Sequence, residues 1–309
     1  MGIKLLNKFL RKQCKQDIKL IHLSELKNKT IVIDISIYLY RFKGENALIE
    51  NIYQLCSIFK FYKIDCLFIF DGDRPEEKSE TLIKRSQQKK QVEKECKKLE
   101  NTIENEIDST KKNELEKKLL KLKKNCVRIN NDDIEEVKNL LVYYGMNYVI
   151  ADGEADILCC YMVKNNLAYA CLSEDTDMFV YGCTRVLRYF SIIKHNAVLY
   201  DYDNILNTLK LPNKLFQQLC IFSGTDYNNS KYNIYYAYKI LNRYINLKSN
   251  EMFYDWLLDK YIDQNELEKL QHVETLFQLD NTMKYNIISN KINSINLQEL
   301  LSRHNFVFT

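Results

Sequence analysis

Residues 168–177 read "AYACLSEDTD", a short apolar run followed at once by Asp175 and Asp177. An apolar run of this length is typical of a buried strand. Two more such runs lie earlier in the chain, "TIVID" at 30–34 and "CLFIFD" at 66–71, and helix-like segments separate the runs. The alternation predicts an α/β fold with a mostly parallel central sheet whose crossovers are helices.

Each of these predicted strands ends in an acidic residue or just before one. The ligand sites of open α/β sheets lie outside the carboxyl ends of the strands, so acids from distant segments are expected to meet at one edge. With a further pair in "ADGEADIL" (151–158), the candidate metal ligands are Asp34, Asp71, Glu154, Asp156, Asp175 and Asp177. Mg²⁺ and Mn²⁺ prefer carboxylate oxygens, and two such ions can promote phosphodiester hydrolysis. The alternative is that the acidic pairs are helix N-caps.

Composition excludes several other classes of protein. The 309 residues are 46% hydrophobic, which supports a packed core, and the net charge of +4 does not by itself indicate nucleic-acid binding. Ten scattered cysteines and four dispersed histidines, without C-x-x-C, predict buried free thiols in a reducing, intracellular compartment and no zinc site. No apolar run approaches the roughly 18 residues of a membrane span. No acidic motif fits the D-x-D-x-[TV] pattern of aspartyl phosphate transfer.

Residues 78–128 form a basic segment, with 16 Lys and Arg against 9 Asp and Glu. Apolar residues recur there at steps of four and three in two stripes, which are Val92, Cys96, Leu99 and Ile103, then Leu115, Leu119, Leu122 and Cys126. The stripes predict an antiparallel helical hairpin that packs along one seam and turns near 107–112. The alternative is a solvated coiled-coil spacer. From Pro212 onward the pattern is again helical.

Six motifs, taken in order over residues 1–227, resemble the flap endonuclease family of structure-specific, XPG/Rad2-like 5′-nucleases. They are "MGIKLL" (1–6), "IVIDIS" (31–36), "FIFDGDRPEEKSETLIKRS" (68–86), "ADGEADIL" (151–158), "SEDTDMF" (173–179) and "FSGTDY" (222–227). The resemblance implies a PIN-like 5′-nuclease fold and hydrolysis of branched DNA with two Mg²⁺ ions, for which Mn²⁺ can substitute. It also implies four parts: an N-terminal nuclease part (1–77), an inserted helical arch (78–145), an internal nuclease part (146–227) and a C-terminal helical DNA-binding region (228–309).

The resemblance assigns the acids to two ions. One ion is held by Asp34, Asp71, Glu154 and Asp156, and the second is held or oriented by Asp175, Asp177 and Asp226. The alternative interpretation of Asp226 is an ordinary turn residue without a role in metal binding.

The resemblance also assigns residues that contact the DNA. Lys78 and Arg85 match the catalytic Lys and Arg at the base of the arch, where they hold the scissile phosphate, and the alternative is a solvated helix face. The remaining substrate-binding candidates are Gly2, Tyr40, Lys84 and Lys89. Tyr40 matches an aromatic residue that stacks on a base, and the alternative for it is core packing.

Three departures from the family pattern stand out. Asp156 takes the place of a usual glutamate and is one methylene shorter, so it could ligate through water. Residues 227–244 contain no glycine where the family has Gly-x-Gly, which puts the potassium site and the grip on duplex DNA in doubt. The tail "ELLSRHNFVFT" lacks the aromatic pair of the sliding-clamp motif, so no clamp binding through it is expected.

The function predicted from these motifs is a 5′-flap endonuclease and 5′–3′ exonuclease of DNA replication or repair, acting as a monomer. It would work in a nucleus or at a viral replication site, as a compact eukaryotic or large-virus version of the family. Two alternatives stay open: a related 5′-nuclease for bubble or junction DNA or for RNA, and a non-catalytic DNA-binding scaffold.

Overall fold

A mixed β-sheet organises the chain. The computed structural model describes residues 2–73, 78–106, 108–248, 250–258, 260–280 and 282–306, and residues 74–77 of the long acidic motif lie outside these ranges. Within the described residues the sheet has seven strands: β1 (Ile18–His22), β2 (Thr30–Asp34), β3 (Asp65–Phe70), β4 (Asn147–Ile150), β5 (Ala170–Leu172), β6 (Arg185–Ser191) and β7 (Asn196–Asp201).

The strand order is β1-β7-β6-β5-β2-β3-β4. Strand β2 pairs in parallel with β3 and with β5, and β5 pairs in parallel with β6. Strand β7 runs antiparallel to both β6 and β1. The three predicted strands are therefore β2, β3 and β5, and the mostly parallel α/β class is confirmed. Strands β1, β4, β6 and β7 were not predicted.

Fourteen α-helices are present in the described residues. They are α1 (Leu6–Gln13), α2 (Ile35–Gly44), α3 (Leu48–Phe61), α4 (Ser79–Asn105), α5 (Ser109–Asn125), α6 (Asn131–Tyr143), α7 (Ala155–Lys164), α8 (Asp177–Val180), α9 (Tyr202–Leu209), α10 (Asn213–Phe222), α11 (Ile234–Leu247), α12 (Phe253–Leu257), α13 (Gln264–Leu276) and α14 (Ser294–Arg303). None of these helices is long and apolar enough to cross a membrane.

The central strands are apolar throughout because both faces of the sheet are covered. Ile31, Val32 and Ile33 of β2 are fully buried, and so are Ala170 and Cys171 of β5. A strand that is buried on both faces shows a continuous hydrophobic run instead of alternation. This is why these strands could be recognised in the sequence.

The chain divides into two compact units. The first comprises Met1–Asp34, Ile58–Arg74 and Val149–Ile287, and the second comprises Ile35–Ser57, Pro75–Tyr148 and Ile288–Thr309. The first unit contains most of the sheet and a large apolar core, with Phe9, Phe179 and Phe216 fully buried. All seven candidate metal ligands belong to this unit.

The second unit contains the predicted helical hairpin. Helices α4 and α5 pack together, with Cys96 and Ile103 buried at the seam and the other predicted seam residues half-buried. The turn is shorter than predicted, because α5 already begins at Ser109. Asp108 caps that helix, since its Oδ1 accepts a hydrogen bond from the Thr110 amide at 2.8 Å.

The C-terminal part of the chain is mostly helical, as predicted. Helices α10–α13 belong to the first unit, and α14 packs on α6 in the second. Between α13 and α14 the chain is not helical, and Ile288 forms an antiparallel bridge with Tyr148 of β4. Asn290 supports this bridge, because its side-chain amide donates to Met146 O at 2.8 Å.

Candidate functional site

A buried serine joins two of the acidic segments. Ser173 follows β5 and is 0% exposed. Its hydroxyl donates to Asp34 Oδ2 at 3.0 Å, and its oxygen accepts from the Asp175 amide at 3.1 Å. Asp34 is the last residue of β2, so the ends of two neighbouring parallel strands meet here. The sequence predicted this convergence.

Asp71 contacts the loop that leads into α7. Its Oδ1 accepts from the Ala155 amide at 2.9 Å. Gly72 permits this approach, because a Cβ atom there would lie 1.9 Å from Ala151 O and because the Gly72 amide donates to Gly153 O at 2.8 Å. A glycine is needed where two backbones approach so closely. The loop after β3 is therefore held against the "ADGEADIL" segment.

Glu154 joins that segment to the next motif. It occupies the N-cap position of α7, but its side chain makes no capping hydrogen bond. Glu154 Oε2 instead accepts from the Tyr227 hydroxyl at 2.8 Å. Tyr227 directly follows Asp226, so this bond connects "ADGEADIL" with "FSGTDY". Asp156, in the first turn of α7, is 8% exposed.

Three of the predicted ligands form a compact cluster. One carboxylate oxygen from each of Asp175, Asp177 and Asp226 lies within 4.8 Å of the others, and it is the one such group of His, Cys, Asp and Glu side chains in the described part of the chain. Asp177 is fully buried. Two negative charges at this separation repel by about 3–4 kcal/mol at an effective dielectric constant of 20. A cation or added protons must offset that repulsion.

Nearby buried side chains have raised pKa values, to which the negative charges of the acids contribute. Burial raises the pKa of Tyr181 well above its usual value, and the charges of Asp156 and Asp177 raise it further. Burial likewise raises the pKa of Cys159 to about 11, and Asp34 and Asp156 add to the shift. Acids from three motifs thus contribute to the raised pKa of Tyr181 and of Cys159.

The chain terminus packs against the cluster. Gly2 has φ +73°, and a Cβ atom there would lie 2.4 Å from Asp175 Oδ1 and 2.6 Å from Asp177 Oδ1. The Ile3 amide donates to Thr176 Oγ1 at 2.8 Å and fixes the approach. Glycine adopts this conformation without strain, and because it has no Cβ atom it leaves space for the two carboxylates.

Hard divalent cations fit this donor set. The cluster offers carboxylate oxygens alone, which are the ligands of Mg²⁺ and Mn²⁺ and not those of soft metals. A buried group such as Asp177 stays charged only when it is paired or bound to a metal. Ser173 connects Asp34 to Asp175, and the Tyr227 hydroxyl connects Glu154 to the residue after Asp226. Asp71 is bound to the first turn of α7, which also carries Asp156, and these acids offer further oxygens.

Helix N-capping, the alternative role for the acidic pairs, explains only some of these residues. Asp71 does satisfy an amide at the start of α7, and Asp175 Oδ1 accepts from the Asp177 amide at 3.0 Å. Glu154 and Thr176 occupy N-cap positions without capping through their side chains. Capping therefore does not account for Glu154 or Asp177.

The basic and aromatic candidates lie in the second unit. Lys78 precedes α4 and is 8% exposed, Arg85 on α4 is half-buried, and Lys84 is exposed. Lys89 Nζ lies 4.7 Å from the ring centroid of Tyr40 and donates to Val127 O at 3.1 Å. Tyr40 is 39% exposed, so it is not a core residue, and the burial of Lys78 does not fit a fully solvated helix face.

Sequence reasoning missed three residues that position the acids. Ser173 and Tyr227 lie inside quoted motifs, but a hydroxyl that bonds to a carboxylate from another segment has no local signature. Gly72 had a clearer signal, because glycines are few in this chain and this one directly follows a predicted ligand.

The region that lacks the expected glycines starts as a tight loop after Gly224 and continues as helix α11. Gly224 has φ +96°, and Asn228 Nδ2 donates to Ile221 O at 2.9 Å. Ser230 Oγ donates to Phe222 O at 2.7 Å. Helix α11 then begins at Ile234 with Asn233 as its cap. Side-chain hydrogen bonds of Asn and Ser hold this loop.

Comparison with protein families gives two matches. The XPG N-terminal domain matches residues 1–92, and the XPG I-region matches residues 145–226. A probable RAD2-like endonuclease of Invertebrate iridescent virus 6 is 30% identical over 76% of this chain and 69% of its own length. Flap endonuclease 1 of Theileria parva is 31% identical over 80% of this chain, which spans 52% of that protein.

Solved structures share the fold. The catalytic core of Rad2 in complex with DNA substrate is 20% identical, with a TM-score of 0.66 over 95% of this chain and 92% of that chain. Flap endonuclease-1 from Methanococcus jannaschii is 21% identical, with a TM-score of 0.64 over 93% and 90%. Human GEN1 in complex with Holliday junction DNA is 16% identical, with a TM-score of 0.66 over 98% and 74%.

Proposed function

Because the chain belongs to the XPG/Rad2-like family of 5′-nucleases, we propose that it is a divalent-metal-dependent phosphodiesterase that cleaves branched DNA at 5′ flaps. The observation that carries the proposal is the carboxylate cluster of Asp175, Asp177 and Asp226 at the carboxyl edge of the sheet. Chemistry on phosphodiesters needs positive charge there, and a cluster of acids supplies it by holding cations.

Two ions, Mg²⁺ or Mn²⁺, are part of the proposal. When bound, they would supply Lewis acidity and lower the pKa of an attacking water. Asp175, Asp177 and Asp226 hold or orient one ion, and Asp34, Asp71, Glu154 and Asp156 provide the oxygens for the other. Ser173 and Tyr227 fix the directions of Asp34 and Glu154 through their hydroxyls.

Lys78 and Arg85 are proposed to bind the scissile phosphate. Arg presents a planar fork that matches two phosphate oxygens, and Lys presents a point charge. Lys78 is the N-cap residue of α4 and Arg85 follows seven residues later, about two helical turns along, which supports a common face. Tyr40, with Lys84 and Lys89, is proposed to contact the DNA strand next to the cleaved bond, by stacking and by phosphate contacts.

The helical hairpin of α4 and α5 is proposed to act as the arch beneath which a single-stranded 5′ end passes. Its excess of Lys and Arg supports non-specific phosphate contacts, which weaken with added salt. With this arrangement the enzyme would act on 5′ flaps and on exposed 5′ ends, in DNA replication or repair.

Cleavage of junction DNA is a second candidate activity. Residues 227–244 lack the Gly-x-Gly with which the family approaches duplex DNA. One of the structural neighbours is GEN1 bound to Holliday junction DNA. Both observations favour testing four-way junctions as separate substrates alongside 5′ flaps.

The experiment compares the wild type with Asp177→Asn, which keeps the shape of the side chain and removes its charge. Labelled 5′-flap, bubble, four-way junction and RNA substrates are incubated with Mg²⁺ or with EDTA. We expect wild-type cleavage of the flap in Mg²⁺ only, and a loss of at least about 100-fold for the variant. Asp203→Asn, at an exposed site on α9, serves as the matched control.

Equal cleavage by wild type and Asp177→Asn would contradict the assigned site. Preference for junctions over flaps would favour the second candidate. Flap binding without cleavage by the wild type in any metal would support a non-catalytic scaffold instead.

A further inference from the structure

One cysteine differs from the other nine in its exposure. The structure describes all ten cysteines as free thiols, of which nine are buried and Cys126 alone is half-buried. Cys126 is the C-cap residue of α5. It is therefore the thiol that a small oxidant in the solvent reaches first.

The register of the hairpin places Cys96 opposite Cys126. Two ion pairs tie α4 to α5 and the residues after it: Glu100 with Lys123, and Glu93 with Arg128, both at 2.7 Å. Cys96 lies between the two glutamates, and Cys126 lies between the two basic residues. The two thiols consequently face each other across the antiparallel seam, and the proximity of Cys96 contributes to the raised pKa of Cys126.

We propose that Cys96 and Cys126 are a redox modification site, at which hydrogen peroxide oxidises the two thiols to a reversible disulfide that links the two helices of the hairpin. The sulfur of Cys126 attacks the peroxide, so that an S–O bond forms, the O–O bond breaks and water leaves. Cys96 then attacks the resulting sulfenic acid, so that the S–S bond forms and a second water leaves. Two electrons pass from the thiols to the peroxide, and a dithiol reductant reverses the reaction.

The other adjacent thiols do not compete. Cys159 and Cys171 influence each other's pKa, but both are fully buried, and burial raises the pKa of Cys159 to about 11 and that of Cys171 well above its usual value. Burial and the neighbouring Cys96 also raise the pKa of Cys126, whereas Lys89 lowers it. Because the thiolate is the nucleophile, the disulfide should form faster as the pH rises above neutrality.

A disulfide at this level would fix the separation of α4 and the end of α5. Helices that are joined by a covalent bond cannot part there, whereas ion pairs and a narrow apolar seam can open. If the hairpin is the arch of the proposed nuclease, the oxidised form should cleave substrates with a free 5′ end more slowly. This last consequence alone rests on the proposed function.

The test treats the full chain with hydrogen peroxide and maps its peptides without reduction. We expect one intramolecular link between Cys96 and Cys126, a mass lower by two hydrogens, and a fall from ten to eight thiols that dithiothreitol reverses. A link between another pair formed first, a disulfide-linked dimer through Cys126, or sulfinic acid at Cys126 without a link would overturn the proposal.

Two variants complete the test. Cys96→Ser should abolish the link and leave a sulfenic acid at Cys126 that dimedone traps. Cys66→Ala, at a buried cysteine on β3, is the matched control and should form the link as the wild type does.

The activity assay separates this inference from the proposed function. Slower flap cleavage after oxidation, restored by dithiothreitol and absent in Cys96→Ser, would support both. Formation of the link in a protein that cleaves no substrate would leave the disulfide proposal standing and would contradict the nuclease assignment alone.

Discussion

Two acidic segments depend on a single hydroxyl. Ser173 donates to Asp34 Oδ2 and accepts from the Asp175 amide, with no exposure to solvent. Hydrogen bonds of this kind orient ligating carboxylates, and their loss costs about 10- to 100-fold in metal affinity or activity.

Ser173→Ala is therefore predicted to weaken Mn²⁺ binding and cleavage by at least about 10-fold. It should also lower the free energy of unfolding by about 1–3 kcal/mol, because a buried hydrogen-bond partner is lost. Isothermal titration with Mn²⁺ and urea denaturation measure the two effects. Ser302→Ala, at an exposed site on α14, should change neither, and an unchanged Mn²⁺ affinity in Ser173→Ala would show that the bridge is not needed.

Gly2 and Gly153 provide a second comparison at single residues. Alanine at Gly2 places a Cβ atom 2.4–2.6 Å from Asp175, Thr176 and Asp177, whereas a Cβ atom at Gly153 has as its nearest neighbour Asp73 O at 3.9 Å. We predict that Gly2→Ala loses between about 10- and 100-fold in kcat, since small misplacements of reacting groups have effects of that size. Gly153→Ala should keep activity near the wild-type level in the same flap assay. Equal activities would mean that the terminus does not shape the site.

The helical hairpin is the element whose packing was most predictable. Cys96 and Ile103 of the predicted stripe are buried, because helical periodicity is a local property of the sequence. The turn was predicted near 107–112, but α5 already begins at Ser109, because the cap residue Asp108 decides this helix boundary and lies inside the polar stretch.

Ile103→Ala is predicted to loosen this hairpin. Ile103 is 9% exposed at the seam, and removing a buried Ile side chain costs about 2 kcal/mol or more in the free energy of unfolding. Leu120→Ala on α5 is the matched control, because Leu120 is 62% exposed. Limited proteolysis should cut the hairpin of Ile103→Ala faster than that of Leu120→Ala. The same cleavage rate for both would contradict the seam.

Four strands could not be predicted, for reasons visible in their residues. Strand β6 contains Arg185 and Arg188. Arg188 is only 5% exposed, and its Nε lies 3.5 Å from Glu174 Oε2. A buried ion pair of this kind interrupts the apolar run that identifies a strand. Strand β1 is at the edge of the sheet, and its exposed Lys19 and Leu20 give it no clear alternation.

At the scale of the whole molecule, the position of the acidic residues at strand ends predicted which of them lie close together. Strand-end placement brings Asp34 and Asp175 together, because the carboxyl ends of neighbouring parallel strands share an edge. Glu154 contacts the "FSGTDY" segment through the Tyr227 hydroxyl. A side-chain contact between two remote segments cannot be predicted from the sequence of either segment.

The buried thiols make a prediction about the stability of the whole chain. Burial raises the pKa of Cys14 to about 12 and that of Cys159 to about 11, against 9.0 for a free thiol. The unfolded chain therefore loses these thiol protons at a lower pH than the folded chain. The contribution of the thiols to the free energy of unfolding is complete below about pH 9 and declines above that pH. At pH 10 the free energy of unfolding should be lower by about 1 kcal/mol for each such thiol.

Urea midpoints measured at pH 8 and pH 10 test this dependence. The Cys14→Ala variant should show a smaller decrease between the two pH values than the wild type. A decrease that is the same in both proteins would assign the alkaline sensitivity to other groups.

The central claim is that the converging carboxylates hold divalent ions, and anomalous scattering from a crystal soaked in Mn²⁺ tests it most directly. We predict manganese peaks bound by Asp175, Asp177 and Asp226 and by the oxygens of Asp34, Asp71, Glu154 and Asp156, with none at the cluster in Asp177→Asn. A map with no peak at these carboxylates under saturating Mn²⁺ would contradict the claim.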